Sequence, residues 1–202
     1  MKDFENFQIE GQNSVTAKKL LEEPILFQDS LIITDKEKQQ TMQSYFTQMG
    51  NSRVRVTLLY RATRDGFGVK NFHQTCDNKG PTIAIIQTTE DFVIGGYTDE
   101  HWQGPYAFKS SFGGWLFTLS HPHPIKRNPS SGMGILCNGY YGVNFGNWAI
   151  GVFDNSDAND DSYVHGPRSG EDYAFGGVHL FGGNGQRQFV SREIEVYGVS
   201  QY

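Results

Sequence analysis

The chain has 202 residues, a mass of 22.7 kDa and a net charge of −5, a length that favours one domain with one sizeable core. The 17 Lys and Arg against 22 Asp and Glu exclude a global field that would attract nucleic acid or an anionic membrane surface. No apolar run reaches the roughly 18 residues of a membrane span and no signal-peptide pattern opens the chain, so we expect a cytosolic or nuclear protein, with the cytoplasm favoured.

Residues 1–24 show no sustained periodicity, which predicts a loosely attached N-terminal arm before a single domain over residues 25–202. Glycine is abundant at 24 residues, and most of these glycines follow residue 100. Glycines that punctuate short apolar or aromatic runs are typical of turns and bulges in β structure. The second half of the chain is therefore predicted to be all β.

The first helix is predicted after the capping-box pattern Thr34-Asp35-Lys36-Glu37. Met42, Tyr45, Phe46 and Met49 follow at helical spacing, so this face is expected to be buried, and Gly50 supplies the left-handed stop. Next, the alternation of Val54, Val56, Leu58 and Tyr60 predicts a strand that carries these four side chains on one side.

The run from Arg64 to Gly68 predicts a turn, and Val69, Phe72, His73 and Cys76 then lie at the spacing of a second short helix. Further strands are predicted at residues 81–88, 92–97, 115–119, 134–137, 148–153, 179–181 and 193–199. Two early helices and many antiparallel-type strands predict a mainly β (α+β) fold. The expected architecture is a β-sandwich of two antiparallel sheets flanked by short helices.

The order and spacing of several segments resemble the TLDc domain family. The resemblance rests on Leu58-Leu59-Tyr60-Arg61-Ala62-Thr63-Arg64-Asp65-Gly66-Phe67, Phe72-His73, Cys76-Asp77-Asn78-Lys79-Gly80-Pro81-Thr82, Gly95-Gly96-Tyr97, Trp102 and the closing Arg192-Glu193-Ile194-Glu195-Val196-Tyr197. It covers roughly residues 29–199 and implies the same two-sheet sandwich. Three departures are evident. Gly68 replaces a serine that would cap the second helix, and Asn147-Trp148 replaces a glycine run after Gly146. The stretch from Asp154 to Gly185 does not follow the family pattern, so the resemblance implies no function for it.

The resemblance implies a protein that interacts with partners, with no catalytic residue, metal or cofactor assigned. It implies protection against oxidative stress and binding to the peripheral sector of the vacuolar-type proton-pumping ATPase, where a bound domain would influence assembly or activity. Aromatic side chains carry much of the energy of an interface, so Trp102 and Tyr106 are the first candidate contacts, and the acidic residues Asp157, Asp160 and Asp161 are the second. Trp102 has a competing interpretation as a residue that closes the edge of the sandwich.

Two other functional classes stay open at this stage. A cysteine-dependent antioxidant enzyme would need an exposed thiol with a lowered pKa. The spacing places Cys76 on a buried helix face, whereas Cys137, beside Asn138-Gly139, stays a candidate for this role. A calcium-dependent binding module would use the acidic segment that begins at Asp154, although this segment lacks the glycine and glutamate of an EF-hand loop. His121 and His123 could seed a metal site, but their flanking prolines favour a surface loop.

Overall fold

The computed structural model describes residues 25–103, 106–165, 172–180, 182 and 186–202, so the predicted arm at 1–24 lies outside the described residues. The helices are α1 (Lys36–Gln48), α2 (Ala62–Asp65) and α3 (Val69–Cys76). The strands are β1 (Val54–Arg61), β2 (Thr82–Thr88), β3 (Val93–Thr98), β4 (Ala107–Lys109), β5 (Trp115–Thr118), β6 (Ile125–Lys126), β7 (Ile135–Cys137), β8 (Asn144–Phe145), β9 (Ile150–Gly151), β10 (Ser162–Val164), β11 (Gln188–Phe189) and β12 (Ser191–Gln201).

These strands form two sheets, and every neighbouring pair of strands is antiparallel. Sheet one has the order β1-β12-β2-β3-β5-β6, and sheet two has the order β11-β10-β9-β8-β7-β4. Both sheets are therefore assembled from strands that are distant in sequence. The predicted mainly β fold with two antiparallel sheets and a few short helices is confirmed.

Helix α1 begins and ends where the sequence places it. Asp35 is the N-cap, and its side chain accepts a hydrogen bond from the Lys38 backbone N–H at 2.8 Å. Gly50 has a φ of +82°, the left-handed conformation that ends many helices. Tyr45 and Phe46 are fully buried, and through them the helix packs on sheet one.

Hydrophobic side chains pack in two layers, one on each face of sheet one. The inner core lies between the two sheets and includes Ala84, Leu116, Ile135, Phe145, Val164 and Val196. The outer core lies between sheet one and the layer formed by α1 and the segment before it, and includes Phe27, Phe46, Ile83, Ile85, Trp115 and Phe117. Residues of β2 thus alternate between two dry layers, because both faces of this sheet are covered.

Strand β1 departs from the predicted alternation at its end. Its pairing with β12 shifts register between Leu58 and Tyr60, so one extra residue is accommodated there. Val54 and Leu58 contact the outer core, whereas Tyr60 belongs to the inner core. The prediction that Tyr60 shares a side with Val54, Val56 and Leu58 is therefore wrong, because the bulge inverts the side on which later residues emerge.

Three local predictions also need correction. The predicted turn from Arg64 begins inside the one-turn helix α2, and the predicted strand at 148–153 is reduced to β9. At 179–181, His179 and Leu180 belong to no strand, and Phe181 lies outside the described residues. Side-chain periodicity over so few residues cannot separate a short strand from a loop that packs on a core.

The glycine pair of β3 leaves room for large side chains from the neighbouring strand β5 and from β8 of sheet two. Gly95 is paired with Phe117 and Gly96 with Leu116 across β5. A Cβ on Gly96 would lie 2.7 Å from a Leu116 methyl and 2.8 Å from the Phe145 ring, so both sheets approach this position closely. Tyr97, the third residue of this motif, stacks on Trp115 with ring centroids 5.8 Å apart.

We expect Gly96→Ala to lower the free energy of unfolding by about 1 to 3 kcal/mol, because the added methyl overpacks the inner core. Gly139→Ala is the matched control, since the described residues place no atom within 4 Å of a Cβ at that position. The control should stay within about 0.5 kcal/mol of the wild type in urea unfolding. Equal stabilities for the two variants would contradict the close approach described for Gly96.

Candidate functional site

The Arg64-Asp65-Gly66-Phe67 motif closes the bend between β1 and α3. The Asp65 carboxylate accepts hydrogen bonds from the Arg61 backbone N–H at 2.9 Å and from two nitrogens of Arg64 at 2.8 and 2.7 Å. The Arg64 side chain, followed by the Arg61 backbone N–H, holds the pKa of Asp65 below its ordinary value. Tyr60 donates to the Gly66 carbonyl at 2.7 Å, and Gly66 has a φ of +96°. The polar atoms of this motif are therefore engaged in hydrogen bonds that stabilise the backbone of the bend.

A buried carboxylate on β12, Glu195, binds three separate parts of the chain. It receives Arg61 Nε at 2.9 Å and Nη2 at 2.8 Å, together with the Ser30 hydroxyl at 2.5 Å and the Leu31 backbone N–H at 2.9 Å. The Tyr197 hydroxyl donates to it at 3.0 Å. Because one side chain bonds β1, β12 and the segment before α1, Glu195 fastens that segment to sheet one.

Its neighbour on the same strand, Glu193, performs a similar role for α2. Glu193 is 4% exposed and accepts hydrogen bonds from the backbone N–H and the hydroxyl of Thr63. Sequence analysis did not identify either glutamate as a functional residue. The available signal was a pair of acidic residues two apart that alternate with apolar residues in a strand, a pattern that normally indicates a solvated face.

Both thiols are buried and unpaired in the described structure. Cys76 is 0% exposed at the end of α3, and Cys137 is 1% exposed on β7. Burial raises the pKa of Cys76 to about 12 and raises the pKa of Cys137 as well. A neutral, enclosed thiol is a poor nucleophile at neutral pH.

We expect both cysteines to resist alkylation in the native protein and to react once urea unfolds it, because the reagent needs an accessible thiolate. Quantitative mass spectrometry after iodoacetamide treatment would measure each site, with glutathione as the reference thiol. Rapid native labelling of Cys137 would contradict the burial argument. A Cys76–Cys137 bridge in lysates alkylated at once would contradict the expected reducing compartment.

The acidic segment after β9 contributes a helix cap. Asp154 Oδ1 accepts a hydrogen bond from the Val69 backbone N–H at 2.8 Å, which supplies the cap that Gly68 cannot provide. Asn159 bonds the backbone carbonyls of Asp154 and Asn155 at 3.1 and 3.0 Å, so the loop is braced by its own amides. Four acidic side chains of this loop are exposed: Asp154, Asp157, Asp160 and Asp161.

The histidines lie in two different settings. His121 and His123 occupy an exposed loop, where His123 Nδ1 lies 2.7 Å from Gln48 Oε1. His73 lies 2.8 Å from the Asp77 carboxylate through Nδ1 and within 3.1 Å of two backbone carbonyls through Nε2. Over the described ranges, no group of three or more His, Cys, Asp or Glu side chains could hold a metal ion.

The two aromatic candidates for partner contact are placed very differently. Trp102 is 1% exposed, donates from Nε1 to the Thr82 hydroxyl at 2.9 Å and meets Phe72 and Phe145 edge to face. Its ring offers no surface to a partner in this conformation. Tyr106 is 64% exposed just before β4, the edge strand of sheet two, and contacts the Phe108 ring.

We expect Trp102→Ala to lower the free energy of unfolding by about 3 to 5 kcal/mol, since it empties a large site in the inner core. Tyr106→Ala should change this free energy by less than about 0.5 kcal/mol, because most of the ring faces water. Thermal and urea unfolding of the two proteins would measure the difference. Similar melting temperatures for Trp102→Ala and the wild type would show that Trp102 does not hold the two sheets together.

Comparison with known proteins identifies the architecture. The family model described as the TLDc domain matches residues 27–200, nearly the whole chain. Interferon-induced protein 44 of Mus musculus is 37% identical over 68 residues, which are 34% of this chain and 15% of that protein. The match therefore spans a small part of that relative. Separately, the helices of the described residues include none long and apolar enough to cross a bilayer.

Proposed function

The chain belongs to the TLDc domain family, and on that premise we propose that it is a non-enzymatic interaction protein that binds the peripheral sector of a vacuolar-type proton-pumping ATPase. Binding would regulate the assembly or activity of the pump in the cytoplasm and so contribute to oxidative-stress resistance. The observation that carries this proposal is the family match over residues 27–200. The physical mechanism is occupancy of a subunit surface.

Exposed apolar side chains beside β4 support an interaction role. We define the edge patch as Tyr106, Phe112 and Met133, which are 64%, 76% and 38% exposed. The Arg127 guanidinium lies 4.8 Å from the Phe112 ring centroid, and the Gly134 backbone N–H donates to the Lys109 carbonyl at 2.7 Å. The second of these contacts places the loop that carries Met133 next to β4. Apolar side chains exposed in one region often mark interaction sites.

The two alternative functions receive less support from the geometry. A cysteine-dependent antioxidant enzyme needs a reactive thiolate, whereas burial raises the pKa of both thiols. A calcium-dependent module would use the loop from Asp157 to Asp161, but the described residues bring no three candidate metal ligands together, and the Asp154 carboxylate caps α3. The exposed Asp157, Asp160 and Asp161 are proposed instead as secondary contacts with the partner.

The test uses purified peripheral sector and measures retention of the domain, ATP hydrolysis and the assembly state of the pump. We expect wild-type protein to bind and Tyr106→Ala to weaken binding by about tenfold or more, as truncation of an aromatic anchor does. Tyr202→Ala is the matched control, because Tyr202 is also 64% exposed but lies at the end of the chain next to β12. If the wild type at tens of micromolar neither binds nor changes hydrolysis or assembly, the proposal fails.

A further inference from the structure

The outer face of sheet two carries a line of contacting rings. We define the aromatic ladder as Tyr141, Trp148, Phe153, Tyr163 and His165, all partly exposed. Trp148 is its centre: it stacks on Phe153 with centroids 5.7 Å apart at 16° and on Tyr163 at 5.6 Å and 29°. Tyr141 meets the indole edge to face at 4.6 Å. Rings ordered in this way present stacking faces at little further entropic cost.

The backbone around Trp148 is unusual for a bulky residue. Trp148 has a φ of +73°, a conformation that non-glycine residues seldom adopt. A Cβ on Gly151 would lie 2.9 Å from Trp148 Cε3, so the indole lies directly over the bare backbone of β9. Asn147 and Trp148 follow Gly146 at the position where the family resemblance implies glycines, so this placement is a feature of the present chain.

A polar side chain beneath this indole has no hydrogen-bond partner among the residues that the structure describes. Asn144 is 0% exposed, and neither its carboxamide oxygen nor its nitrogen has a hydrogen-bond partner there. Asn144 Nδ2 is 3.8 Å from the position of a Cβ on Gly151, on the side that Trp148 covers. Buried polar groups in native proteins are almost always paired, so this amide calls for a partner, which an ordered water or a ligand can supply.

Negative charge flanks the ladder on the same loop. Phe153 is followed by Asp154, and Asp161 is separated from Tyr163 by Ser162 alone. The Phe153 backbone N–H donates to the Ser162 hydroxyl at 3.1 Å, which holds the two ends of this loop together. Residues 154–161 contain four aspartates and no lysine or arginine, and Asp160 and Asp161 are exposed.

We propose that the aromatic ladder and the acidic loop at 154–161 form a docking site for a basic peptide segment that carries arginine. A guanidinium group can stack on the indole or phenyl face and gains cation–π energy there, while neighbouring cations pair with Asp160 and Asp161. The same four aspartates repel phosphate-bearing ligands, which disfavours nucleic acid as the occupant of this face. The inference does not depend on the proton pump being the partner.

The probe is a synthetic Arg-Gly repeat peptide with a fluorescent label, compared with Glu-Gly and Ala-Gly peptides of equal length. Anisotropy titrations should saturate for the arginine peptide below about 1 mM and weaken as salt rises from about 0.1 M to about 1 M, which shortens the Debye length from about 10 Å to about 3 Å. Intrinsic fluorescence gives a second readout, since Trp102 and Trp115 are buried and Trp148 is the partly exposed third tryptophan.

Variants then assign the site. We expect Trp148→Gly and Tyr163→Leu each to weaken peptide affinity about fivefold, the scale of one cation–π contact. The double change Asp160→Asn with Asp161→Asn should weaken it about threefold. The matched controls are Phe112→Leu in the edge patch and Glu37→Gln with Glu90→Gln, which remove an exposed ring and two charges elsewhere; both should leave affinity within about twofold.

Two ladder variants keep the test valid if one of them unfolds, and melting curves identify that case. The proposal is overturned if the arginine peptide fails to saturate, or if the Glu-Gly peptide binds as tightly. It is also overturned if the folded ladder variants bind like the wild type. A pump assay with Tyr106→Ala is a separate measurement, so the failure of one proposal is distinguishable from the failure of the other.

Discussion

Sheet one is covered on both faces, and this constraint governs how the rest of the domain is built. One face packs on sheet two, and the other packs on α1 and the segment before it. The carboxylates in the buried middle of β12 cannot reach water and need partners inside the protein. The partners of Glu195 are Arg61, Ser30 and Leu31. This buried carboxylate therefore also joins the outer layer to sheet one.

The same enclosure determines which residues are left to act on other molecules. Trp102, both cysteines and the β3 motif lie inside the two layers, where their role is packing. Conserving a fold of this type therefore requires many residues that never meet a partner. The accessible surfaces include the loops at the sheet edges and the outer face of sheet two, where Tyr106 is exposed and Trp148 is partly exposed. Recognition through loops on a rigid sandwich is the usual arrangement for such scaffolds.

The sequence predicted the parts of the fold that depend on local periodicity. Helix α1, helix α3 and the longer strands β2, β3 and β12 are long enough for apolar spacing to identify them. Strands of two or three residues, such as β6 and β11, have no period of their own and form because distant strands pair with them. They could be found only after the sheets were known.

Side-chain placement was less predictable for a related reason. The side of Tyr60 depends on a bulge, and the burial of Trp102 and Glu195 depends on layers contributed by residues far away in the chain. The cap of α3 comes from Asp154, which is 85 positions beyond Val69. Each of these is a long-range contact, and single-sequence patterns carry no information on such pairs without the fold.

The Asp154 cap has a thermodynamic consequence. One carboxylate is shared between the start of α3 and the acidic loop, so the two regions are linked by whatever free energy that hydrogen bond contributes, about 1 kcal/mol for a typical cap. Linkage is reciprocal: an event that draws Asp154 away from Val69 frays the helix that holds Cys76, and fraying of that helix releases a carboxylate to the loop by the same factor, about fivefold in equilibrium. Events at the loop surface are thereby connected to the protection of an interior thiol.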